Sequence, residues 1–237
     1  MGSVYRLTLH QLSGKWRLAI LTVLSAMPVF MALMVLRSDT APTVAQFEET
    51  ILGVMLAGSI TPLAVLAIAA AAFGNEVEDR TLANLTLAPI PRWQIALPKL
   101  LAAITIAAPF IAISAFLTSW IAYIGDVSAS IAVTVSVLVA VSVYAAAFVW
   151  LGLISTQAIG LGLLYIVLWE GFFSGFVSGV RLLSIRHYAI AVMHGLDPRR
   201  FADFDHVNLG AALVVSAALL GAFVLSSVRR LQRMDVP

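Results

Sequence analysis

The chain contains no cysteine, and charged residues make up only 11% of its 237 positions. The first absence excludes a disulfide framework and any thiolate metal or redox centre. The second excludes an ordinary soluble domain, where about a quarter of residues are charged. No Gly-x-x-x-x-Gly-Lys-Ser/Thr stretch occurs, so this chain has no P-loop to cradle ATP phosphates. A net charge of +2 is too small to argue for a nucleic-acid partner. Catalytic groupings are equally sparse. Ser174 or Ser178 near Glu170 or His187 is the only nucleophile-and-base pairing, and serine in apolar helices is ordinary packing and hydrogen bonding, so no enzymatic activity is expected of this chain by itself. Met27, Met31 and Met34 share a helix face, and His187, His194 and His206 are widely spaced, but neither set has the acids or thiols of a metal site.

What the chain does have is apolar length. Hydrophobic residues are 61% of the total and the mean hydropathy is +1.00. A bilayer of about 30 Å needs about 20 apolar residues per crossing. Six stretches qualify: Leu18 to Leu36, Ile51 to Phe73, Leu100 to Ile124, Val127 to Ile154, Ala158 to about Val180, and Leu209 to Val228. The expected fold is an all-α membrane protein, one transmembrane domain over 1–237 with six transmembrane helices and both termini on one side. Placing the termini inside puts Arg6, Lys15, Arg17, Arg80, Arg92, Lys99, Arg229, Arg230 and Arg233 in the cytoplasm, against Arg37, Arg181, Arg186, Arg199 and Arg200 outside. The positive-inside rule therefore favours cytoplasmic termini in a multi-pass protein of the cell membrane.

Three segments break the apolar pattern. Within 1–17, Tyr5, Leu9, Leu12 and Trp16 recur at helical spacing beside Arg6, His10, Ser13 and Arg17, as in an amphipathic helix lying at the membrane surface. Within 74–99, Glu76, Glu78 and Asp79 open a short helix carrying Leu82, Leu85 and Leu87, which Pro89 and Pro91 end. Within 170–206, Glu170 interrupts an apolar run and is followed by Gly171, Gly175 and Gly179. A carboxyl at membrane depth normally faces protein or a water cavity, and the glycines allow close helix approach. A re-entrant helical segment before the sixth span is the preferred reading; one long helix with a buried carboxyl is the other.

The 74–99 segment resembles the signature of the ABC type-2 exporter permease family: an acid, a Thr-Leu helix, Pro-Ile-x-Arg, an apolar residue and a Lys entering the third span. Here these are Glu76, Thr81, Leu82, Leu85, Pro89, Ile90, Arg92, Ile95 and Lys99, with Arg80 where the family commonly has Gly. Trp169-Glu170-Gly171 with Leu183 to Tyr188 is similar to the subgroup serving nitrous-oxide reductase maturation. The resemblance covers essentially the whole chain. It implies a cytoplasmic coupling helix between spans two and three, gripped through Glu76, Glu78, Arg80, Thr81, Leu82, Leu85, Pro89 and Arg92 by a separate ATP-binding subunit that holds ATP and Mg. It also implies a second permease subunit, identical or related, and no cofactor on this chain. Two other function classes fit the composition: a motor-independent channel or secondary transporter using Glu170 as an ion or proton site, and a membrane-embedded assembly protein.

Because the native chain lacks cysteine, its topology is directly testable. Cysteines at Asn84 or Gln232 should react with an impermeant thiol reagent only after the inner face is opened, and cysteines at Thr43 or Asp203 should react in intact cells. Reversed reactivity at both pairs would overturn the orientation.

Overall fold

The computed structural model describes residues 2–37, 43–78, 91–173, 184–201 and 207–233, and every regular element among them is a helix. The order is α1 (Gly2–Leu12), α2 (Lys15–Leu36), α3 (44–69), α4 (Ala71–Glu78), α5 (Trp93–Ala122), α6 (Val127–Ile154), α7 (158–173), α8 (Ile185–Leu196) and α9 (Leu209–Arg233). Five helices are long and apolar enough to cross a membrane: Lys15–Leu36, Val44–Gly74, Trp93–Ala122, Val127–Ile154 and Leu209–Arg233. The chain is thus an all-helical, multi-pass membrane protein.

Of the expected fifth span, Ala158 to about Val180, the described part is the apolar helix Ala158–Phe172. The rest of that stretch, 174–180, lies outside the described residues. α7 starts just after α6 ends at Ile154, and α8 finishes beside the start of α6, where Arg200 reaches Asp126 at 3.2 Å.

Local chemistry explains the helix ends. Asp126 caps α6, its carboxylate accepting from the Ser128 and Ala129 N–H groups. Thr43 and Gln46 exchange side-chain bonds in a capping box at the start of α3, and Ser184 caps α8 by accepting from the His187 N–H. The α5–α6 turn passes through left-handed backbone at Ile124 (φ 53°) and Gly125 (φ 84°), where the Gly125 N–H donates back to the Trp120 carbonyl. α1 ends earlier than its expected limit of residue 17. Gly14 takes an extended conformation (ψ 138°), so Trp16 belongs to α2, where it is 83% exposed rather than continuing the α1 stripe. The face α1 buries is Thr8 and Leu12, tied to α5 by the Tyr5 hydroxyl donating to Thr105 Oγ1 at 3.0 Å.

α3 is not a uniform α-helix. Over Glu48–Ile60 it is π-wound, with i→i+5 geometry that the Ser59 hydroxyl shares by donating to the Val54 carbonyl. α7 makes the same change over Ile166–Phe173.

α6 is the central post, packed against α3, α4, α5, α7, α8 and α9. Its buried face is rich in small residues, including Ala129, Ala132, Ala140, Ala145, Ala146 and Gly152. In a membrane such residues let helices approach closely enough for van der Waals packing to hold them. α2 lies at the periphery and buries only Leu21, Ser25, Pro28 and Ala32. Met27, Met31 and Met34 stand on its exposed side, so they face outward rather than into the bundle.

The tightest approach is at Gly152, where an added Cβ would lie 2.3 Å from the Ala70 carbonyl oxygen. At Gly162 the obstacle is the movable Leu66 side chain. Gly152→Ala should therefore destabilise by about 1–3 kcal/mol, and Gly162→Ala by less. Thermal melting of the two purified variants checks this, and equal melting temperatures would show that the α3–α6 contact is not tight.

Candidate functional site

Two polar centres sit inside this apolar bundle. The first stands where the chain leaves α4 and re-enters at α5. Lys99, in the first two turns of α5, is 1% exposed; its ammonium donates to Glu76 Oε1 at 2.6 Å and to the Ala72 carbonyl at 2.5 Å, and lies 4.5 Å from the centre of the Phe73 ring. Lysine is almost never fully buried unless paired, and here an anion, a helix carbonyl and an aromatic face meet it together. The second Glu76 oxygen, Oε2, is buried with no hydrogen-bond partner among the described residues. The pair thus ties α4 to the start of α5.

Of the expected coupling residues, Glu76 lies in this clamp, Glu78 ends α4, and Arg92 occupies the cap position of α5. Arg80, Thr81, Leu82, Leu85 and Pro89 lie outside the described residues. The sequence pattern includes Lys99 as its final member but does not reveal that Glu76 is its partner, because the residues are 23 apart along the chain. A lone lysine at the start of an apolar run was the available signal.

The second centre is Glu170, which is 0% exposed. Its Oε1 accepts from the Tyr144 hydroxyl at 2.9 Å, the Tyr165 hydroxyl at 3.0 Å and the Ile185 N–H at 3.0 Å, while the Ser184 hydroxyl donates to Oε2. These donors come from α6, α7 and the start of α8. The π winding of α7 brings Tyr165 and Glu170, five residues apart, onto one face. Tyr144 stacks on Phe148 at 5.9 Å, and Phe148 meets Tyr165 edge-on at 6.5 Å, which fixes both phenol rings. Ser184 serves twice, accepting from the His187 N–H and donating to Glu170. The carboxylate therefore lies at the N-terminus of α8, where unpaired N–H groups and the helix dipole favour a negative charge.

Glu170 stands roughly 18 Å along α7 from Ala158, well inside the bundle. The expectation of a carboxyl enclosed by protein is met, and the donors are Tyr144, Tyr165, Ser184 and Ile185. Tyr144 could have been suspected from the sequence as the one hydroxyl-bearing aromatic in an Ala/Val span. Ser174 and Ser178, the possible nucleophiles, lie outside the described residues.

A third polar group closes the opposite end of the bundle. The buried Glu48 accepts from the Tyr123 hydroxyl at 2.8 Å, and Tyr123 packs against Phe201 and under the Arg200 guanidinium at 5.0 Å. Burial, reinforced by the adjacent Glu48 carboxylate, holds the Tyr123 hydroxyl well above its ordinary range, so it remains a donor at physiological pH. His194 Nδ1 lies 2.7 Å from the Phe201 carbonyl, tying α8 to the same end.

No protein-family model matches the chain, and no curated protein matches it.

If Glu170 is the junction of α6, α7 and α8, removing its acceptors should cost more than removing its charge. Glu170→Leu leaves the four donors without their acceptor, at about 1–3 kcal/mol for each group left unsatisfied. Glu170→Gln retains an acceptor oxygen and the side-chain shape. Detergent-purified Glu170→Leu is expected to melt far below wild type or to fail to assemble, with Glu170→Gln close to wild type; a wild-type melt for the leucine variant would dismiss the junction.

Proposed function

We propose that this chain is the membrane-spanning permease subunit of an ATP-driven ABC exporter of the cell membrane, working with a separate ATP-binding subunit and a second permease subunit, and with its termini cytoplasmic. The observation that carries the reading is the buried Glu76–Lys99 pair. The 79–90 segment bears Thr81, Leu82 and Leu85, and the pair ties α4 to α5 on either side of it in sequence. A tie of this kind would carry displacement of α4 into α5. The motor would close on ATP and push this segment, and α4 and α5 would carry the push into the spans. Transport in this picture is a rigid-body change between two arrangements of packed helices.

The multi-pass helical architecture agrees with the reading. A proton or ion site at Glu170 has less support: both carboxylate oxygens already accept hydrogen bonds from the protein, so the group serves as a structural junction. The chemical class of the transported molecule is the quantity to measure, by screening compounds for stimulation of ATP hydrolysis in the purified complex.

The test is co-expression with the ATP-binding subunit. Wild type should co-purify with a P-loop ATPase whose hydrolysis depends on the permease. Leu82→Asp combined with Leu85→Asp should detach or uncouple it, because two carboxylates would enter an apolar docking surface without partners. Lys99→Met should leave Glu76 buried and unpaired, at a cost of about 3–5 kcal/mol. Full ATPase association and wild-type transport in the Leu82/Leu85 double variant would overturn the proposal.

A further inference from the structure

The π-wound half of α3 carries Glu48, Gly53 and Gly58 at intervals of five. In an α-helix with 3.6 residues per turn, residues five apart fall about 140° around the axis and share no face. In an i→i+5 turn they lie about one turn apart and much closer to a common face. A Cβ added at Gly53 would lie 3.4 Å from the Glu48 carbonyl oxygen, and one added at Gly58 would lie 3.2 Å from that of Gly53, as this placement requires. The two glycines thus form a continuous notch along one side of α3.

Arg186 of α8 lies in that notch. A Cβ on Gly58 would be 2.8 Å from Arg186 Cδ and 3.2 Å from Nε, while a Cβ on Gly53 would be 3.5 Å from Nη2 and 3.8 Å from Ile190 Cδ1. The arginine stem enters at Gly58 and its guanidinium extends toward Gly53. Both glycines are buried and Arg186 is half-buried. A guanidinium at membrane depth is costly unless protein encloses it, and this notch supplies the enclosure. Arg186 also follows directly on Ser184 and Ile185, the two residues through which α8 bonds Glu170. Its position is therefore set from the Glu170 side as well as from the α3 side.

We propose that Gly53 and Gly58 form a seat for the Arg186 side chain that exists only while α3 is π-wound, so that Arg186 holds the winding of α3 and with it that helix's length and rotational register. Rewinding of Glu48–Ile60 to an α-helix would send Gly53 and Gly58 to different faces and close the seat. It would also lengthen α3 and rotate its α4 end relative to the Glu48 end. α8 and α3 are in this way two parts of one bistable device, with Arg186 as the positioning residue. The device is a property of this chain and does not depend on the exporter reading.

The experiment uses the full-length chain in lipid nanodiscs, with nitroxide labels on cysteines introduced at Val44 and Ala67 so that electron–electron distance measurement reads the length of α3. Arg186→Ala should lengthen the distance by several ångström, because the side chain that fills the seat is then gone. Gly58→Ala should lengthen it as well, because its Cβ would lie 2.8 Å from Arg186 Cδ and displace that side chain from the seat. Gly53→Ala meets only ordinary contacts and should leave the distance near wild type. The double variant Gly58→Ala with Arg186→Ala should be no worse than the single variants, since both remove the same contact. An unchanged α3 distance in Arg186→Ala would overturn the proposal, as would additive lengthening in the double variant. If Gly58→Ala fails to assemble, recovery on adding Arg186→Ala supports the seat and failure to recover overturns it.

Discussion

A carboxyl group enclosed in an apolar bundle must find its hydrogen bonds within its own chain, and among the described residues Glu170 accepts four, from α6, α7 and the start of α8. Much of the polar structure follows from this. Tyr144 has to lie on the buried face of α6, Tyr165 has to share a face with a residue five positions on, and α8 has to begin where its first N–H groups meet the carboxylate. Without an anion at that point, the exposed N-terminus of a helix beginning inside the bundle would carry unsatisfied donors.

The same rule governs the other buried acidic and basic groups. Lys99 is received by Glu76, the Ala72 carbonyl and the Phe73 ring, and the buried Glu48 accepts from the Tyr123 phenol. Each of these contacts joins elements distant in sequence: α4 to α5, α3 to the end of α5, and α6 to both α7 and α8. In a bilayer the hydrophobic effect does not distinguish helix from lipid, so the relative placement of helices falls to such polar ties and to close packing at small residues such as Gly152.

The two π-wound segments belong to the same economy of placement. In α7 the wider turn aligns Tyr165 with Glu170, and in α3 it aligns Gly53 with Gly58. A turn one residue wider moves every later side chain around the helix, which is how a short irregularity brings to one face residues that an α-helix would separate.

Length, apolarity and the absence of cysteine were enough to establish a helical membrane protein and to place α6 at its observed limits, Val127–Ile154, because a continuous apolar run bounded by an Asp cap is a local property. They were also enough to mark Glu170 as enclosed, since a lone carboxyl in an apolar run has few other places to go. The start of α8 depends on a meeting of residues 170, 184 and 185, and no periodicity records that meeting. Likewise, Glu76 and Lys99 both stand out in the sequence, but their pairing does not. Local composition determines whether a segment can be a helix and whether it prefers lipid. Only the tertiary structure decides which polar group answers which, because that depends on distances between helices that touch in space and not along the chain.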